Sequence, residues 1–175
     1  NNYCFTTTAL TSKIWLIYED GSGEWHSKEV ADIGDASKIP LPVDISISAN
    51  DQTLWVNTWN DGMTRLFDIS DPHAPKETFT ENIGAQVNMV SQSWDGERLY
   101  YTSSLLGSWD KKTAPEGTDL DYFKAYTWEG GKLVHKFTID FSAAKLGRPH
   151  QMRFGSNALY GSRPTKTTDA LFAEH

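Results

Sequence analysis

Leu54 and Leu99 stand 45 positions apart, each in a Leu-aromatic strand pattern that follows a polar turn. Around them, "SISANDQTLWVNTW" (46–59) and "VSQSWDGERLYYTSS" (90–104) share one plan. Each is a short strand, a turn at Asn50-Asp51 or Asp95-Gly96, and a second strand. A second element recurs three times, in "IWLIYEDGSGEWHSKEV", "TRLFDISDPHAPKETF" and "FKAYTWEGGKLVHKF". It is a strand, a turn and a returning strand. Its turns, Gly21-Ser22-Gly23, Asp71-Pro72 and Gly130-Gly131, are hairpin or tight-loop chemistry.

Such a repeat limits the fold more than any single motif, because each unit must bury its apolar face on the next. Four short strands in about 45 residues make one blade of a β-propeller. A β-sandwich also shows short strands at regular spacing, but does not usually repeat a two-hairpin unit at a fixed period. The expectation is therefore all-β: one propeller sector of about three blades. It divides into a partial blade over 1–42, blades over 43–85 and 86–141, closing strands over 148–162 and a tail over 163–175. Val43–Phe79 and Gln86–Ile139 should each form a four-stranded antiparallel sheet, with Leu54 and Leu99 at equivalent buried positions. Propellers close with about four to eight blades, so the sector belongs to a larger ring. Helix is scarce; only "DFSAAKLG" could make a turn or two.

Composition removes several function classes. The 175 residues carry 16 basic and 23 acidic side chains, a formal charge of −7. Binding to nucleic acid or an anionic membrane needs a clustered basic patch, and the longest basic run is the pair Lys111-Lys112. Neither partner is expected, and no apolar run approaches the roughly 18 residues of a membrane span. Seven Trp, seven Tyr and eight Phe suit pleated, half-buried surfaces. Cys4 is alone, which excludes an internal disulfide and leaves cytosol and periplasm both open. "NNYCFTTTAL" shows no signal peptide and reads as a chain that starts inside a fold. No nucleophile elbow, phosphate-binding glycine loop or His-Glu-x-x-His is present, and the Gly-x-Gly of "DGSGEW" sits in a hairpin turn.

Three stretches, "DISISANDQTLWVNTWNDGMTRLFDISDP", "SQSWDGERLYYTSSLLGSWDK" and "PHQMRF", resemble the methanethiol oxidase / selenium-binding protein family. The resemblance runs from about Thr8 to Tyr160 and maps to the C-terminal part of a protein more than twice this long. It implies a seven-bladed propeller. It also implies, for bacterial members, a copper-dependent oxidase acting on a small thiol and O2. That enzyme turns methanethiol, oxygen and water into formaldehyde, hydrogen sulfide and hydrogen peroxide, in the periplasm or alternatively the cytoplasm. Family copper ligands are histidines, most of them in the N-terminal half, so the remaining N-terminal half of the same protein becomes an expected partner. His150 matches the C-terminal ligand in the His-x-Met-Arg motif. The tail after Tyr160 departs from the family pattern. A homo-oligomer stays open, as does a non-catalytic propeller that binds selenium or a partner protein.

Read on their own chemistry, the candidate residues separate. His150 follows Pro149, whose fixed φ stiffens its approach, and stands where an inner strand would face the central channel. Imidazole suits copper and other late first-row metals. Met152 shares the His150 face and reads as packing, although a thioether can bind Cu(I). Arg153 lies on the opposite face and reads as an ion-pair partner. Asp110, in a structured loop at Trp109-Asp110-Lys111, either caps that loop or orients a ligand histidine. Asp44 is a weaker channel candidate. His26, His73 and His135 read as solvated surface groups, and Cys4 as a half-buried small hydrophobe without the positive neighbours that activate a thiol.

Overall fold

In the computed structural model the described residues are 2–152, so Arg153, most of the expected closing strands and the tail lie outside them. Three antiparallel sheets follow one another along the chain. The first holds β1 (Tyr3–Thr8), β2 (Lys13–Glu19) and β3 (Trp25–Asp32). The second runs β4 (Pro42–Ile47), β5 (Thr53–Thr58), β6 (Met63–Asp68) and β7 (Lys76–Asn82) in spatial order. The third holds β8 (Val90–Gln92), β9 (Arg98–Thr102), β10 (Tyr122–Glu129) and β11 (Lys132–Asp140), with β8 at one edge. Each is an antiparallel meander in which strands adjacent in the chain are adjacent in the sheet, the form of a propeller blade.

The polar turns of the repeat have one chemical basis. Ser48 Oγ accepts the N–H groups of Gln52 and Thr53 at 3.2 and 2.9 Å. Forty-five positions on, Ser93 Oγ accepts the Arg98 N–H at 3.0 Å, while Asp95 accepts that of Glu97 at 3.0 Å. The backbone repeats as well: Leu41 and Gln86, again 45 apart, are both left-handed, with φ of 64° and 56°. The first blade precedes the second at a spacing of 50. Ile33 N–H donates to Ser12 O and Ile83 N–H to Gly62 O, both at 2.9 Å. A 3-10 turn at Ala36–Lys38 lengthens the β3–β4 connection and accounts for the longer period.

Alternation along β5 and β6 divides the core in two. Leu54, Val56 and Phe67 pack with Phe5, Ile14, Leu16, Ile33 and Ile69 of the first interface. Trp55 and Leu66 face the other way, onto Val90, Leu99, Tyr101, Tyr122 and Tyr126. Leu54 and Leu99 are both fully buried, one in each core. On the third sheet an aromatic ladder, Tyr100–Phe123–Phe137, has centroids 5.6 and 6.0 Å apart. Phe137 and Ile139 there are exposed, as the face of a blade awaiting its neighbour would be.

Helix forms elsewhere than expected. "DFSAAKLG" makes one turn, capped by Asp140 on the Ala143 N–H at 2.9 Å and stopped by Lys145 at φ 56°. The short helix α1 is Ser108–Thr113, inside the segment read as a structured loop. Among the described residues no helix is long and apolar enough to cross a membrane.

Candidate functional site

The β9–β10 connection, residues 103–121, gathers the polar groups around His150. Ser103 and Ser104 are buried where β9 ends, and Ser103 Oγ donates to Leu120 O across the base of the loop. Asp110, on α1 and 2% exposed, accepts the N–H groups of Leu105 and Leu106 at 3.1 Å. It therefore caps its own loop, one of the two roles open to it. Its carboxylate also receives Arg148 Nη1 at 2.9 Å. Arg148 donates further to Gly107 O at 2.6 Å and Leu120 O at 2.9 Å, and pairs with Asp121. One guanidinium thus ties the loop to the segment that delivers His150.

His150 is held at two points. Its backbone carbonyl accepts the Thr102 hydroxyl at 2.5 Å, and its ring Nδ1 lies 2.5 Å from Ser104 O. A carbonyl only accepts, so Nδ1 carries the proton and Nε2 keeps its lone pair in the neutral ring. That is the tautomer a ligand histidine needs. Ser104 O also accepts Asn88 Nδ2 at 2.6 Å, and Asn88 O accepts Asn57 Nδ2 at 2.8 Å. Both asparagines are fully buried. His150 itself is exposed, and residues 150–152 form no ladder strand among the described residues. They do lie beside β8, where Ser91 Oγ donates to Met152 O at 3.3 Å. In the same way β8 lies beside β4, with Val90 N–H on Asp44 Oδ2 at 2.8 Å and Gln92 Nε2 on Ser46 O at 3.1 Å. Asp44 is thus a stitch between adjacent inner strands.

The other sequence candidates sit apart from this point. Cys4 is exposed rather than half-buried, because Phe5 takes the inward position on β1. The outer histidines all have partners. His26 bonds Asp20 at 2.8 Å, His73 packs edge-on against Tyr18 at 4.7 Å, and His135 bonds Thr138 at 2.9 Å. Asp20, Glu24 and His26 have ligand atoms within 4.8 Å of one another in an exposed hairpin, a group that does not include His150. The Ser22 hydroxyl, His26 and two backbone N–H groups hold the Asp20 carboxyl well below the usual range, fitting a turn cap.

The family model for the 56 kDa selenium-binding protein matches residues 1–158. The chain belongs to that family. It is 62% identical over 161 residues to a methanethiol oxidase of Ruegeria pomeroyi, a match covering 92% of this chain and 36% of the relative. It is 58% identical over 156 residues to one from a Hyphomicrobium species, covering 89% of this chain and 35% of the relative. The chain thus spans about a third of the length of these relatives. Among solved structures, a hypothetical selenium-binding protein from Sulfolobus tokodaii aligns over 85% of this chain and 39% of its own. The TM-score is 0.68 and the identity 26%. The β-propeller domain of Swd1 from Myceliophteria thermophila, at 9% identity, matches the fold alone, with a TM-score of 0.54 over 76% of this chain and 40% of its own. The three sheets are blades of a β-propeller.

Tested against a metal ion, the neutral His150 ring fits: with Nδ1 donating to Ser104 O, Nε2 keeps the lone pair that a ligand histidine needs. Sequence reasoning found that residue but not its supports, Ser104, Asn88 and Arg148. Arg148, two residues before His150, sits between Gly147 and Pro149 in a stretch that also carries Lys145, so nothing in the sequence singled it out.

Proposed function

We propose that this chain is the C-terminal part of a copper-dependent methanethiol oxidase with a seven-bladed propeller. Its reaction takes methanethiol, O2 and water to formaldehyde, hydrogen sulfide and hydrogen peroxide. The observation that carries the reading is the His150 tautomer: a ring pinned through Nδ1 to Ser104 O presents Nε2 to a metal. Support also comes from the methanethiol oxidases that this chain resembles at 62% and 58% identity. Copper, when bound, would supply the path for electrons from thiol to O2. This chain's part is to hold one imidazole in the right tautomer, with the remaining ligands coming from outside the described residues. The same reading expects the periplasm, with the cytoplasm as the alternative, and fractionation of the source cells distinguishes the two.

In the full-length protein, His150→Ala should lower copper content and thiol oxidation together while the metal-free melting temperature stays unchanged. His73→Ala, in a turn against Tyr18, should leave copper and activity as they were. Full copper occupancy and activity in His150→Ala would overturn the assignment. A full-length protein that binds selenium and consumes no O2 with methanethiol would favour the non-catalytic alternative.

A further inference from the structure

We propose that Asn88 is a positioning residue for the His150 ring, acting through the shared carbonyl of Ser104; the proposal rests on the reading of His150 as a metal ligand. Ser104 O has two lone pairs, and the structure fills both: Asn88 Nδ2 at 2.6 Å and His150 Nδ1 at 2.5 Å. With the amide fixing one direction of approach, the imidazole is left the other, and the line along which Nε2 points follows from that. Asn88 is itself fixed from both sides. Its N–H donates to Thr102 O at 2.7 Å, and its carbonyl receives the buried Asn57 amide at 2.8 Å.

The fold does not require an amide at this position. The left-handed pair Leu41 and Gln86 sets the register between the second and third blades at 45 residues. That register puts Val43 where Asn88 stands, so the preceding blade is built with a valine there. In the third blade the same position carries a fully buried asparagine whose Oδ1 has no partner among the described residues. A buried acceptor without a partner costs about 1–3 kcal/mol. An amide placed here at such a cost, two hydrogen bonds from the candidate ligand through Ser104 O, points to the ligand as its reason.

The test compares Asn88→Val, the residue the repeat itself uses, with wild type and His150→Ala in the full-length protein. In the metal-free protein, nitrogen NMR of ring-labelled histidine at alkaline pH reads the tautomer, with the His150 signals assigned by their loss in His150→Ala. Wild type should show a single Nδ1-protonated form and Asn88→Val a mixture. Copper(II) affinity, by competition titration, should fall about 10–100-fold, as when the partner of a ligand histidine is removed. The metal-free melting temperature should move little. If Asn88→Val fails to fold, Asn88→Asp keeps the shape, sets an acceptor against Ser104 O, and should give the same two changes. A variant that keeps one tautomer and wild-type affinity overturns the proposal. If His150→Ala binds copper like wild type while Asn88→Val still mixes the tautomers, the metal reading fails and the positioning role stands.

Discussion

Arg148 Nη1 lies 2.9 Å from the carboxylate of Asp110, and the two side chains are only 13% and 2% exposed. An ion pair this deep is worth little in itself, because desolvation offsets the attraction; breaking it is what costs. Asp110→Asn would leave Asp121 as the carboxylate that pairs with Arg148 and loosen the cap over Leu105 and Leu106. The variant should lose about 3 kcal/mol of stability in denaturant melts of the full-length protein. Since Arg148 precedes His150 by two residues, copper content should fall as well if His150 is a ligand, as proposed above. An unchanged denaturation midpoint would show that the loop is held by other contacts.

Leu54 and Leu99 occupy separate cores on opposite sides of the second blade. Truncating either to Ala should cost about 2–5 kcal/mol, the transfer and cavity terms together. Because the cores share neither residue, the double variant should show the sum of the single effects to within about 0.5 kcal/mol. A strongly non-additive pair would mean that the blades do not bury these residues independently.

Gly62 supports the crossing between blades through its backbone. Its φ is +68°, and a Cβ there would lie 2.6 Å from Gly84 O. Gly96 has a similar φ of +75° with open space around it. Gly96→Ala should therefore cost only the left-handed penalty of about 1–2 kcal/mol, and Gly62→Ala clearly more. Equal losses, measured by thermal melts of both variants, would mean that the Gly84 carbonyl simply moves aside.

The parts of this molecule that were legible in its sequence were those set by side-chain pattern and turn chemistry. Leu54 and Leu99 revealed the 45-residue period because both the strand alternation and the Ser-led turns repeat. The first blade precedes the second at a spacing of 50, and the extra turn at Ala36–Lys38 hid that relation. The helix α1 escaped because it has no side-chain cap of its own; Asp110, the natural capping residue nearby, serves the loop before it. Cys4 was misjudged for want of knowing which face of β1 turns inward. His150 could be found by motif, but its orientation depends on Ser104, 46 residues away, a contact that only the folded chain creates.

Two carboxyls on the second and third blades should answer pH in opposite senses. Burial on β7 pushes the Glu81 carboxyl above its ordinary range. The folded chain thus holds that proton more tightly than the unfolded one, and stability is lost as pH rises through the folded value. At Asp95, burial alone would also raise the carboxyl, but the Ser93 hydroxyl and the Glu97 N–H outweigh it and the net shift is downward. Its contribution is present at neutral pH and lost as pH falls through the folded value. Glu81→Gln should therefore raise the melting temperature at pH 7, and Asp95→Asn should lower it. Both differences from wild type should shrink in acid, that of Glu81→Gln near the usual carboxylate range and that of Asp95→Asn only below it. Melts across this range, run on both variants and wild type, decide the matter. If the two variants shift in the same direction at pH 7, the opposed environments assigned to these carboxyls are wrong.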